Sequence, residues 1–321
     1  MSLFFDAALI LLAIVVALKV VTGRDPLTDV IAFIAYGIVL TLVWVRLAAV
    51  DVALTEVAVG SGATGLVLLR AAGAAATAKQ EARPGRVTKG LAALVSLVVF
   101  LLLAAAVLAW PKPQPSLALA VAEHLPATGL GNPITGVLIV FRALDTLLET
   151  VVLLLALVGI WALAPDRTGA RAWSGTPAPL SGMTPSGAQV LLAQLLLPVG
   201  LLVTVYQFWA GANVPAGAFQ GGAVLGAMWV LLLLARLAPL PRLEQPGLAV
   251  LVLAGPFAFL ATGLAGWVWA GGFLDYPEGI EKPVIIVVEA AIVVSIGVTL
   301  GLLVLGPAGP QAADRPGADA S

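Results

Sequence analysis

The chain has no cysteine, which excludes disulfides, thiolate metal sites and cysteine nucleophiles together. It has one histidine, His124, close to Pro126 in a stretch that reads as a loop, so no imidazole pair is available for a metal or a haem. Charge is scarce: 10% of the 321 residues are Asp, Glu, Lys or Arg, against about 25% in a soluble domain. A formal net charge of −1 excludes a nucleic-acid-binding role. Also missing are a phosphate-binding Gly-Lys-Ser/Thr loop, a nucleophile elbow and a His-Glu-x-x-His helix. An enzyme acting alone is therefore not expected. No internal repeat is visible, which argues against a free-standing secondary transporter built from inverted repeats.

What fills the chain is apolar. With 61% hydrophobic residues and a mean hydropathy of +1.08, the expected class is an all-α polytopic integral membrane protein. Nine segments are long enough to cross a hydrocarbon layer of about 30 Å: 3–21, 27–47, 52–71, 91–110, 133–164, 188–209, 221–237, 247–270 and 283–305. The first has no basic leader region or small-residue cleavage site, and reads as a retained span. Placing the N-terminus outside puts 12 Lys and Arg residues in inner segments and 3 in outer ones. The positive-inside rule then sets the N-terminus outside and the C-terminus in the cytoplasm. Trp44, Trp110, Trp161, Trp209, Trp267 and Trp269 fall near span ends, as an aromatic belt requires, whereas Trp229 is expected to pack between helices. Residues 72–89 form a basic, Ala- and Gly-rich linker, 111–131 a long outer loop opening Pro-Lys-Pro-Gln-Pro, and 165–185 a Pro-, Gly- and Ser-rich linker.

Against this background the few polar residues inside spans stand out. The fifth span contains Arg142, Asp145 and Glu149, three and four residues apart and so on one helix face. A charge near the centre of a spanning helix costs about 2.5–3.5 kcal/mol. The spacing serves either an ion pair that keeps helices in register or a proton or cation path. Read as one continuous helix, the span puts Arg142 and Glu149 on either side of the membrane middle, with Asp145 paired to Arg142 and Glu149 free to exchange a proton. In the third span Asp51 lies at the outer boundary, where it can reach water or cap the helix, and Glu56 a turn deeper should face protein or a hydrated cavity. Gly60, Ser61, Gly62 and Gly65 permit close helix contact or a π-bulge. Between spans six and seven, Gly211-Ala212-Asn213-Val214-Pro215-Ala216-Gly217-Ala218-Phe219-Gln220 cannot continue a helix. It is an outer loop or a short re-entrant turn, with Asn213 and Gln220 as its polar candidates. Glu289 is a carboxylate in the otherwise apolar last span, followed by Ser295 and Thr299. The small residues, including Gly221 and Gly222, are expected to pack against other subunits.

These residues resemble a known family. Asp51-Val-Ala-Leu-Thr-Glu56 resembles the Asp-x-Ala-Leu-Thr-Glu segment of the small D-type protein of membrane-bound hydrogenases, also found in the C-terminal part of the large A-type protein of Mrp-type multisubunit cation/proton antiporters. Phe141-Arg142-Ala-Leu-Asp145-Thr-Leu-Leu-Glu149 is similar to the adjacent E-type motif, Asp-Phe-Arg-Gly-x-Asp-Thr-x-Gly-Glu, with Val140 in place of the first Asp and Leu148 in place of a Gly. Asn213-Val-Pro215-Ala-Gly217-Ala-Phe219-Gln220-Gly221-Gly222 is similar to the B-type protein of the same antiporters, with Ala212 in place of the usual His and Ala216 and Ala218 in place of two glycines. The resemblance implies a fusion: a D-like four-helix unit over 1–110, an E-like long helix with its outer loop over 111–165, a cytoplasmic linker at 166–186, a B-like four-helix unit over 187–305 and a disordered tail at 306–321. It further implies a multi-pass subunit of a cell-membrane assembly that exchanges protons for a cation, sodium in the usual case. Its partners would be antiporter-like and small membrane subunits, with no bound cofactor or metal in this chain. Glu149, Asp145, Arg142, Glu56 and Glu289 are then the expected proton or cation path. The alternative is the membrane arm of a redox-driven ion pump.

Overall fold

The computed structural model describes residues 2–77, 85–109, 116–163, 185–241 and 245–306. The linker expected at 166–186 and the tail at 306–321 fall outside the described residues, apart from 185–186 and 306, as do Trp110 and residues 78–84 of the basic linker. Among the described residues eight helices are long and apolar enough to cross a membrane. The ninth expected span is shorter, an apolar helix over Ala218–Leu234. Its 17 residues reach about 25 Å at ~1.5 Å per residue, less than a full hydrocarbon layer.

Helices α1 (Ser2–Thr22) and α2 (Pro26–Arg46) form a hairpin. Asp25 caps α2 and Pro26 starts it. Hydrogen bonds from the Thr28 hydroxyl and amide hold the Asp25 carboxyl below its ordinary pKa. Ion pairs clamp both ends of the hairpin, Arg46 to Asp6 at 2.6 Å and Lys19 to Asp29 at 3.3 Å. The third span is α3 (Val50–Thr55), a π segment over Glu56–Ala63 and α4 (Thr64–Thr77). The wide turn falls on the Gly60-Ser61-Gly62 run, where the sequence allows one. Helix α5 (Arg86–Ala109) buries no residue.

A short helix, α6 (Ala118–His124), lies in the outer loop. The fifth span is not the continuous helix expected over 133–164. It runs as α7 (Pro133–Gly136), a second π segment (Val137–Phe141), a break at Arg142 (φ −133°, ψ 36°) and α8 (Ala143–Ala162). The freed carbonyls find partners elsewhere. Leu138 accepts from the Thr146 hydroxyl at 2.7 Å and Ile139 from the Tyr276 hydroxyl at 3.0 Å. The break puts Arg142 at the N-cap of α8 with its side chain exposed, not inside a continuous helix.

The remaining unit is built round α12 (Glu281–Leu305), the most buried span, against which α9 (Gly187–Gly211), α10 (Ala218–Leu234) and α11 (Pro246–Trp269) pack. Glycines let α10 and α12 meet backbone to backbone. A Cβ on Gly226 would lie 2.7 Å from the Gly297 carbonyl oxygen, and one on Gly222 would lie 2.7 Å from Ile296. Gly221 likewise faces the Thr204 carbonyl, and Gly65 faces Ile34 of α2. Gly65, Gly221 and Gly222 thus pack inside this chain, whereas Gly62 is exposed. Trp229 sits on Gly301 between helices, as expected, but Trp161 is 2% exposed, in the core with Leu157, Val252 and Leu302, and is not a belt residue.

Candidate functional site

Three stretches far apart in sequence converge at one end of the bundle. Asp51, in the first turn of α3, accepts from the Asn132 side-chain amide and from the Ala216 backbone N–H, both at 3.2 Å and both at Oδ1. Asn132 is 3% exposed and fully used: it caps α7 through the Ile134 N–H and also donates to the Val214 carbonyl at 3.1 Å. Thr135 donates to the Gly211 carbonyl at 2.6 Å, and the Gly131 N–H to the Ala212 carbonyl at 2.8 Å. The loop before α10 is therefore tied by hydrogen bonds to the fifth span, while Asn213, Val214 and Pro215 stay exposed. Asp51 is no helix cap, since the residue preceding α3 is Ala49.

Below this junction lies a cavity of 470 Å³. Asp51, Glu149, Gln220 and Glu289 line it, with the hydroxyl-bearing Thr55 and Thr146. Gln220, 7% exposed, donates to the Thr55 hydroxyl at 2.8 Å. Glu289 is 2% exposed and its Oε2 has no hydrogen-bond partner. A buried carboxylate oxygen without a donor needs a proton or a water. Glu149 lies at the exposed rim. The site is thus a largely apolar chamber lined at a few points by carboxylates drawn from the third, fifth and last spans.

The other expected residues lie elsewhere. Arg142 and Asp145 do pair, at 2.5 Å, but their side chains are 70% and 48% exposed, so they form a surface pair on α8 and not part of the chamber. Glu56 packs against Gly60 and Gly37, close to the buried Ser61 hydroxyl, and does not line the cavity. Asn213 accepts from Lys282 at 2.9 Å on the exposed side of the loop. Sequence reasoning missed Asp51 as a junction, and with it Asn132, Thr55 and Tyr276. Asp51 and Thr55 belong to the Asp-x-Ala-Leu-Thr-Glu motif itself, which was the available signal.

Comparison with known proteins gives this geometry its context. The MbhD family model, which describes the D-type component of MBH, matches residues 11–77. The model "Domain related to MnhB subunit of Na+/H+ antiporter" matches residues 189–308. Among solved structures, a chain of the Mrp complex from Dietzia sp. DQ12-45-1b is 26% identical with a TM-score of 0.73, and the match covers 96% of this chain and 35% of that one. The chain thus spans about a third of that relative, within which equivalents of both units lie in one polypeptide. A chain of the membrane-bound sulfane sulfur reductase, an archaeal respiratory membrane complex, is 25% identical with a TM-score of 0.53, covering 70% of this chain and 100% of that one. No curated protein matches.

Proposed function

Because the chain belongs to the Mrp-type antiporter subunits, as a fusion of an MbhD-type with an MnhB-type unit in one multi-pass protein of the cell membrane, we propose that it works inside a multisubunit assembly exchanging protons for sodium. It is a component of a transport complex and not an enzyme. Antiporter-like and small membrane subunits are its partners. The observation that supports this reading is the single chamber lined by Asp51, Glu149 and Glu289. Carboxylates gathered at membrane depth are costly unless they move or hold ions.

In this reading Glu149, at the rim, exchanges its proton with the neighbouring subunit or its water, and Glu289 holds the proton furthest inside. Asp51, Thr55 and Gln220 supply oxygen atoms, set in an otherwise apolar wall, to a partly hydrated cation. The Arg142–Asp145 pair stays exposed outside the chamber, and Glu56 is held against α2 at Gly37. The test is Glu149→Gln in the assembled complex reconstituted in liposomes. Gln keeps the shape of the side chain but cannot carry the proton, so exchange should be lost while the subunits still co-purify. Wild-type exchange in that assembled variant would return the carboxylates to a structural role.

The likeness to a chain of a respiratory membrane complex supports a second reading, in which the same chamber belongs to the membrane arm of a redox-driven ion pump. Co-purification separates the two. Iron–sulfur proteins in the isolated complex favour the second, and antiporter-like subunits alone favour the first.

A further inference from the structure

A second cavity, of 860 Å³, lies on the other side of the second π segment. Its polar lining is acidic: Asp275, Glu278 and Glu281, with His124 and Tyr276. Consecutive residues of the π segment divide the two spaces. Leu138 and Ile139 line the carboxylate chamber, and Val140 and Phe141 line the acidic vestibule. By the distribution of Lys and Arg the vestibule is at the outer end of the bundle.

Tyr276 closes this wall. It is 9% exposed, belongs to the vestibule lining, and its hydroxyl reaches through to the Ile139 carbonyl at 3.0 Å. On the far side waits Glu289 with its unpartnered Oε2. Burial first, and then the charge of Glu289, push the Tyr276 phenol above its ordinary range, so the hydroxyl stays a donor. The Ile139 carbonyl stands outside the regular helix ladder, so Tyr276 can exchange that bond for one to water without breaking an α-helical turn.

We propose that Tyr276 is the gate between the acidic outer vestibule and the carboxylate chamber, and that protons and water reach Glu289 past it. The groups facing the gate are Glu289 on the inner side and His124, Asp275, Glu278 and Glu281 on the outer. The inference rests on the ion-exchange reading of the chamber, to which it adds the side of access and the residue that controls it.

The absence of cysteine from this chain permits a direct test in the assembled complex, freed of reactive cysteine in its partners. Ile292→Cys places a thiol on the chamber wall at a position that is 1% exposed. A charged methanethiosulfonate added from the vestibule side should label it slowly while Tyr276 is present. With Tyr276→Ala labelling should run roughly tenfold faster, as expected of a site whose local opening no longer limits reaction. Tyr276→Phe, which keeps the ring and loses the bond, should give a smaller increase. If Tyr276→Ala does not assemble, Tyr276→Phe decides. A rate equal to wild type in the assembled variant overturns the gate. The labelling reads access and not ion flux. Exchange lost in Glu149→Gln with labelling indifferent to Tyr276 would sink the gate alone. Exchange retained in Glu149→Gln with labelling accelerated by Tyr276→Ala would sink the functional reading and leave the gate standing.

Discussion

Asp51 and Asn132 are 81 residues apart in the chain and 3.2 Å apart in space, carboxylate oxygen to amide nitrogen. The same oxygen receives the N–H of Ala216, 165 residues away. One carboxylate oxygen therefore ties together the MbhD-type unit, the fifth span and the loop between the first two helices of the MnhB-type unit.

Asp51→Ala should strand both donors in a largely buried place, at about 1–3 kcal/mol for each unsatisfied group. The purified complex should melt several degrees lower, and Asp51→Asn, which keeps an acceptor, should recover part of the loss. Equal melting of Asp51→Ala and wild type would mean that the junction is held by other contacts.

The Tyr276 phenol gives a pH signature. Its folded-state pKa is raised by burial and by Glu289, above an unfolded value of about 10. A raised pKa contributes stability that is fully present below the unfolded value and is lost as pH rises beyond it. The stability gap between wild type and Tyr276→Phe should hold level from about pH 7 to 9 and shrink above about pH 10. Thermal melts across that range check it, and a gap that widened in alkali would contradict the burial of the hydroxyl.

Glycine positions make a paired comparison. Gly226→Ala drives a methyl into the Gly297 carbonyl, and forcing α10 from α12 should cost about 1–3 kcal/mol. In α8, Gly159 has nothing within 4 Å of an added Cβ. Gly159→Ala should be neutral or stabilising by up to about 1 kcal/mol. Detergent unfolding of the two variants side by side measures the difference, and similar effects would argue against close α10–α12 packing.

Asp145→Asn should leave assembly intact. The Arg142–Asp145 pair is largely exposed at the end of α8, and such pairs contribute about 0–1 kcal/mol. The sequence alone suggests the opposite, because a continuous helix would bury Arg142 and strand it. Co-purification yield of the Asp145→Asn complex decides between the two.

The residues that were legible and those that were not differ in the range of the forces acting on them. Span positions follow from uninterrupted apolar runs, and the structure places them within a few residues of expectation. The first π segment follows from Gly60-Ser61-Gly62, a local weakness in the helix. The break at Arg142 has no such signal, because 137–158 reads as one apolar helix. It is stabilised by Tyr276 bonding Ile139 from 137 residues away, a contact that no local pattern encodes. The same holds for the chamber: Glu149, Gln220 and Glu289 are conspicuous singly, but their meeting depends on α10 and α12 closing through Gly226 and Gly297.

The eight residues of Glu56–Ala63 have a consequence that concerns angle, not chemistry. A π turn takes up about one residue more than an α turn, and one residue of an α-helix is roughly 100° of rotation. All of α4 is therefore set in phase by that surplus residue, including the face on which Gly65 meets Ile34. Deleting a single residue between 56 and 63 would let the segment close as an ordinary helix and swing Gly65 away from α2, although the hydropathy of the span would hardly change. Side chains there can be exchanged for others of like size, but the number of residues is fixed, and the segment acts as a rotational spacer.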